Sequence, residues 1–302
     1  MNMKFIVSLC LFYLKLAMKA ILLCMTGLFS WFFVLGRDLM EDNRLNNLKE
    51  FWDSMAGQFT DFDIPTPYNN EFMKLLYLKG ILETKGYALD IGCGTGKYSL
   101  AVSPYFEKVV GTDISVNMID AAKRRALNEE VNNVDYKCLS WQELNTDKLR
   151  WKNKFDFVFA HMTPAVNSLE TIEKMRYVSK NWCAVTKSVC RKNKIADEVN
   201  KICGSIINGY GENEINGLLS MLWADGLKPE LFYESEVWDN ELPSQKAIDS
   251  YIKRMTVKKE LSNKEKADIT DYFNSIAVNG IVKEISDVTI CTVYWKENKG
   301  DI

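Results

Sequence analysis

The run Leu89-Asp90-Ile91-Gly92-Cys93-Gly94-Thr95-Gly96 closes an apolar stretch with a glycine loop, and Gly111-Thr112-Asp113-Ile114 follows about one strand–helix–strand unit later. Glycines let backbone come close to a ligand where a side chain would clash. Asp113 then stands at the carboxyl end of the next strand, where ribose hydroxyls can donate to it. An open α/β sheet holds a nucleoside at its switch point in this way. The spacing of the glycines decides which nucleoside.

A Walker phosphate loop needs Gly-x-x-x-x-Gly-Lys-Ser/Thr. Here Gly96-Lys97 is followed by Tyr98, and Ile91 stands where the first glycine belongs. A dinucleotide fingerprint needs a third glycine for close helix–strand packing. That place falls on Lys97 counting from Gly92, or on Ser99 counting from Gly94. Both patterns fail.

The elements that must position these residues alternate along the chain. Apolar runs predict strands at 87–91, 108–112, 134–138, 155–160 and 182–190, with helices at 98–105, 115–128 and 168–179 between them. Ser115 is the expected N-cap of the helix after the second strand. Short apolar strands separated by helices imply a parallel sheet with right-handed crossovers. Ahead of it, helical spacing covers 43–59, the prolines at 65 and 67 break the pattern, and a helix is expected over 70–82. Beyond Cys190, helices are expected at 196–207, 212–225, 244–255 and 263–276, with a strand at 230–237. A last strand within 281–295 alternates as an antiparallel, partly exposed strand does. The expected fold is a doubly wound, Rossmann-like α/β sheet, mostly parallel with an antiparallel last strand. The expected organisation is an apolar segment at 1–39, N-terminal helices at 40–84, and one domain at 85–302 with a helical cover around 193–279.

Composition narrows the partners. The 302 residues carry a formal net charge of −2, so no global field draws the chain to nucleic acid. The basic stretches 187–194 and 253–266 read as solvated helix faces. The eight cysteines form no Cys-x-x-Cys pair and there is one histidine, so no metal site is expected. Free thiols in apolar runs behave as small hydrophobes and point to a reducing, cytoplasmic setting. Residues 5–36 are almost wholly apolar apart from Lys15 and Lys19, and the stretch 20–36 is about the length of a short membrane span. Three readings compete for it: a membrane anchor, an uncleaved signal-like segment, or a start assigned upstream of Met40. The last is preferred, and membrane attachment is expected only if residues 1–39 are made.

What stands in the loop is Asp-x-Gly-x-Gly-x-Gly, Asp90 to Gly96, and here the chain resembles the class I S-adenosylmethionine-dependent methyltransferases of the small-molecule type. The resemblance runs from about residue 87 to 164, with a weaker match upstream at Trp52-Asp53-Ser54-Met55-Ala56. It implies that Gly92, Gly94 and Gly96 pass beneath the methionine and ribose moieties of S-adenosyl-L-methionine. Asp90 would bear on the amino-acid portion and Asp113 on both ribose hydroxyls. Ile114 would touch adenine, as would the segment holding Ser140 and Trp141. An indole buries so much area that Trp141 is as well suited to the core.

Methyl transfer from a sulfonium is an in-line displacement, so the protein supplies alignment and desolvation. The acceptor should lie over the carboxyl ends of the first and fourth strands. His161, which ends the fourth strand, is the candidate there, either to deprotonate an acceptor or to orient it. The run His161-Met162-Thr163-Pro164 departs from the Asn/Asp-Pro-Pro-Phe/Tyr of relatives that methylate base amino groups. The expectation is therefore a methyltransferase with a small-molecule acceptor and no nucleic acid. Two other readings stay open: a nicotinamide-dependent oxidoreductase, and a protein that binds S-adenosylmethionine without turnover.

Overall fold

The computed structural model describes residues 45–60, 62–204, 212–256 and 259–297. The apolar segment at 5–36 lies outside them. Among the described residues no helix is long and apolar enough to cross a membrane. The chain divides into two units, residues 1–48 and 49–302, and the sheet with its covering helices belongs to the second.

The centre of that unit is a seven-stranded sheet in the order β3-β2-β1-β4-β5-β7-β6. Strands β1 (Tyr87–Ile91), β2 (Lys108–Asp113), β3 (Val134–Cys138), β4 (Phe155–His161) and β5 (Ser179–Lys192) are parallel neighbours. Strand β7 (Ile281–Lys296) runs antiparallel between β5 and β6 (Glu230–Pro243). The sheet is thus mostly parallel with an antiparallel last strand. Strands β1 and β4 are almost continuously apolar because helices cover both their faces.

In the unit beginning at residue 49, α1 covers residues 49–55, followed by α2 (Glu71–Leu78), α3 (Lys97–Val102), α4 (Val116–Asn128) and α5 (Leu169–Val178). Then come α6 (Lys194–Ile202), α7 (Glu212–Ala224), α8 (Ser244–Thr256) and α9 (Asn263–Ile276). Side-chain caps set many of the starts. Asn70 accepts from the Met73 amide, Ser115 from Met118, and Ser262 and Glu265 form a capping box. One side of the sheet packs α5 and α7 around Val158, Val185 and Trp295, and the other packs α2 and α3 around Phe157, Phe159 and Tyr294.

Strands β5, β7 and β6 hold 14, 16 and 14 residues, about three times the length of β1. They therefore project beyond the carboxyl ends of β1 and β4. Helices α6, α8 and α9 gather on that projection around Val199, Ile248, Tyr251, Phe273 and Val282. The region 193–279 is thus less purely helical than its sequence suggests, because β6 continues to Pro243 as an edge strand. A second expectation fails at 187–194. Residues 187–192 are the end of β5, not a solvated helix face, and Lys187 is 7% exposed with an ion-pair partner in Glu214.

Candidate active site at the carboxyl ends of the strands

The glycine loop is shaped by hydrogen bonds to its neighbour strand. The Gly92 and Cys93 amides both donate to the Thr112 carbonyl, at 2.7 and 2.9 Å, which folds the loop over the end of β2. Gly92 and Gly96 have φ of +70° and +88°, in the left-handed region. A Cβ on Gly92 would lie 2.0 Å from Thr163 Oγ1, and one on Gly96 would lie 2.4 Å from the Tyr136 hydroxyl. Gly94 differs: its nearest neighbour would be Met118 Sδ at 4.0 Å. Two glycines are needed for packing, and the middle one leaves open space.

Asp113 ends β2 beside that space. Its Oδ2 accepts from the Gly94 amide at 3.0 Å and its Oδ1 from the Ser115 amide at 2.9 Å. Burial pushes the carboxyl above its ordinary value against the pull of these N–H groups. Asp90 is 2% exposed and accepts from Ser99 Oγ at 2.6 Å. Burial pushes its pKa up to about 7; the Ser99 bond opposes the shift and the Asp113 charge adds to it. Asp90 thus ties β1 to α3 through Ser99.

The structure gathers Asp90, Gly92, Gly94, Gly96, Asp113 and the partly exposed Ile114 about one loop. Ser140, also partly exposed, follows β3 at the same end, where the Leu139 amide donates to the Asp113 carbonyl at 2.8 Å. Trp141 follows Ser140 with its side chain in the core. Its indole is 2% exposed, lies there with Val158 and Met175, and donates from Nε1 to the Thr171 carbonyl at 3.1 Å. The ring's area and its N–H are both satisfied inside the protein, so the side chain does not face the loop.

His161 sits at the end of β4, between the rings of Tyr98 at 3.9 Å and Phe72 at 4.7 Å. Burial, with the Lys97 charge added, pushes its pKa down to about 3, so the imidazole is neutral at pH 7. A base that weak orients a partner better than it takes a proton. The Tyr98 hydroxyl is 3.4 Å from Asn70 Nδ2, which donates to it, and burial pushes the phenol up to about 12. On β6, burial, then Glu236 and Glu71, push Glu234 up to about 7.

Tyr98, Asn70 and Asp53 went unassigned from the sequence. Asp53 Oδ1 accepts from Ser115 Oγ at 2.5 Å and from the Asn117 amide at 3.2 Å, so α1 clasps the start of α4. Thr95 Oγ1 likewise donates to the Phe59 carbonyl at 2.6 Å. The Trp-Asp segment was the available signal, but the partners lie some sixty residues on. Among other aromatics, Tyr68 is 96% exposed and Phe232 packs on the α2 side of the sheet. Burial pushes the Cys93 thiol well up, which suits a small hydrophobe and not a nucleophile. Among the described residues no group of three or more His, Cys, Asp or Glu could hold a metal ion.

Residues 88–185 match the model of a family described as "Methyltransferase domain". Over 151 residues the chain is 28% identical to a ubiquinone biosynthesis O-methyltransferase of Coxiella burnetii, covering 50% of this chain and 58% of that protein. Over 125 residues it is 33% identical to a tRNA/tmRNA (uracil-C(5))-methyltransferase of Nitratiruptor, covering 40% of this chain and 33% of that one. The chain therefore spans less than two thirds of the length of these relatives. Among solved structures, the YcgJ protein of Bacillus subtilis aligns over 75% of this chain and 98% of its own, at 17% identity and a TM-score of 0.49. The matched segment holds the glycine loop, Asp113 and His161.

Proposed function

We propose that the matched segment 88–185, similar to a methyltransferase domain, is of the class I S-adenosylmethionine-dependent type, and that this chain transfers the methyl group of S-adenosyl-L-methionine to a small-molecule acceptor. The observation that carries the reading is Asp113. Its carboxylate is pinned by the Gly94 and Ser115 amides at the end of β2, next to the open face of Gly94. A carboxylate so fixed has lone pairs left for two ribose hydroxyls, and the nearest side chain, Met118, stands 4.0 Å from where a Cβ on Gly94 would be. The loop lacks the third glycine of a dinucleotide fingerprint, which argues against a nicotinamide dinucleotide.

S-adenosylmethionine supplies an activated methyl group on a sulfonium. The chain's own residues do the rest. Gly92, Gly94 and Gly96 let the loop run close to the cofactor, Asp113 holds the ribose, and Ile114 and Ser140 flank the adenine. Asp90 acts at one remove, through the start of α3. His161, neutral and held between Tyr98 and Phe72, orients the acceptor by a hydrogen bond from its ring. The chemistry the cofactor would supply is an in-line displacement at the methyl carbon, with the carbon–sulfur electrons left on sulfur. The acceptor's proton leaves to solvent or to Glu234, whose raised pKa suits it to proton exchange near neutrality. The helices on the projecting strands cover the acceptor side and exclude water. Asp53 clasps the start of α4, and the Phe59 carbonyl holds Thr95 of the cofactor loop.

Calorimetry with S-adenosylhomocysteine and with NADH tests the cofactor. Binding of the first at micromolar strength is expected, and binding of NADH alone would overturn the reading. Radiolabelled methyl transfer to a small-molecule panel, with tRNA alongside, tests the acceptor. Transfer to tRNA but to no small molecule would reverse that half. Tight S-adenosylhomocysteine binding with no transfer to any acceptor would favour the non-catalytic reading.

A further inference from the structure

Lys187 is a buried cation that the methyl transfer does not use. It follows Thr186, the strand partner of His161 on β5. Its ammonium donates to the Thr163 carbonyl at 2.8 Å and pairs with Glu214 of α7 at 2.7 Å. Thr163 belongs to the turn that leaves β4 through Met162, whose φ of +51° is unusual for a residue with a Cβ. The Met162 amide donates to the Thr186 carbonyl at 2.9 Å, and the Ala165 amide to Thr163 Oγ1 at 3.2 Å. The Thr163 side chain occupies the space that a Cβ on Gly92 would need. The chain of contact runs from Glu214 through Lys187 and Thr163 to the glycine loop, with His161 two residues from the clamped carbonyl.

We propose that Lys187 is a positioning residue: anchored on α7 by Glu214, it clamps the 161–165 turn against Gly92 and so fixes the spacing between the cofactor loop and the acceptor side of the site. The proposal rests on the methyltransferase reading for its consequence in turnover, and on hydrogen bonds alone for its mechanical part. A second, half-buried cation gives the control. Arg176 pairs with Glu297 at 2.8 Å and also with Asp225. Its helix, α5, meets β5 at Val178-Ser179, the end of β5 opposite Lys187.

The experiment compares Lys187→Met, Lys187→Arg, Glu214→Gln and Arg176→Met at a temperature where circular dichroism shows each one folded. Lys187→Met should weaken S-adenosylhomocysteine binding about tenfold and lower kcat more than it raises KM for the acceptor, because alignment is lost. Lys187→Arg should recover most of the loss, and Glu214→Gln should shift both in the same direction by less. Arg176→Met should lower Tm and leave affinity unchanged. Hydrogen exchange in the ligand-free protein separates the two layers. Lys187→Met should speed exchange at the 161–165 turn and at Gly92 and Cys93, and Arg176→Met should not. If the wild type binds no S-adenosylhomocysteine but the exchange pattern holds, the functional reading falls and the clamp stands. If Lys187→Met binds and exchanges as the wild type does, or Arg176→Met weakens binding equally, the clamp is overturned. Should Lys187→Met fail to fold, Glu214→Gln decides by the same readouts.

Discussion

Two regions of the sheet treat polar groups in opposite ways. On the projecting strands, Glu284 is 7% exposed and its Oε1 accepts from Arg191 at 3.2 Å, Asn193 at 2.5 Å and Tyr251 at 2.5 Å. Ser286 completes the set, bonded to Arg191 and Asn193. At the ends of β2 and β4 the polar groups are held by backbone or by rings instead. Asp113 takes two amides, and His161 lies between aromatic faces. Among the described residues no side chain is bonded to the His161 ring. A cluster whose donors and acceptors satisfy one another is architecture; one that keeps capacity facing open space is equipped for a ligand.

The contrast is open to attack by mutation. Glu284→Ala should have the largest effect, leaving the Arg191 cation buried without its carboxylate. A loss of about 3–5 kcal/mol in urea unfolding is expected, with S-adenosylhomocysteine affinity unchanged wherever the protein is folded. A smaller loss, or a change in affinity, would mean the two regions are not separate.

His161 makes the next prediction, through pH. Its folded pKa of about 3 lies below the unfolded value of 6.5, so the unfolded chain binds a proton that the folded one refuses. Stability therefore falls as pH drops from 6.5 toward 3, by about 3 kcal/mol at pH 4. Asp90 works the other way. Its carboxyl, raised to about 7, keeps its proton in the folded state, so stability falls as pH rises from about 4 to 7. Comparing His161→Phe with the wild type at each pH cancels the Asp90 contribution, and the variant should gain relative stability on the acid side. A constant difference between pH 7 and pH 4 would contradict the assignment.

Asp113→Ala should weaken S-adenosylhomocysteine binding by about 1–3 kcal/mol, as loss of a charge-assisted hydrogen bond does. Calorimetry reads it directly, and an unchanged affinity would take Asp113 out of the site. Asp53→Ala should have the smallest effect, about 1 kcal/mol in unfolding, since Ser115 still caps α4. A larger effect on affinity than on stability would make the α1 clasp part of the binding region proper.

Sequence patterns made the local parts visible. The glycine loop and Asp113 are short-range signals, and α9 spans the expected residues 263–276. A mostly parallel sheet was implied by the alternation of strands and helices. What stayed hidden depends on partners far along the chain. Lys187 reads as one more surface cation until Glu214 and the Thr163 carbonyl are brought to it. Tyr98 gains its meaning only from His161, sixty-three residues on. Trp141 shows the converse: the segment lies at the right strand end, and tertiary packing turns the ring inward. Strand β6 was cut short because its outward polar positions blur the alternation past Val237.

The insertion of β7 between β5 and β6 also governs how the chain comes together during synthesis. Its partners on β5 lie about a hundred residues earlier, so the exposed edge Cys183-Ala184-Val185 stays unpaired until residues 281–296 have been made. Such distant pairing is slow to form, and an uncovered apolar edge invites contact between nascent chains. Ribosome-bound chains ending before β7 should therefore be the aggregation-prone species, whatever the stability of the finished fold.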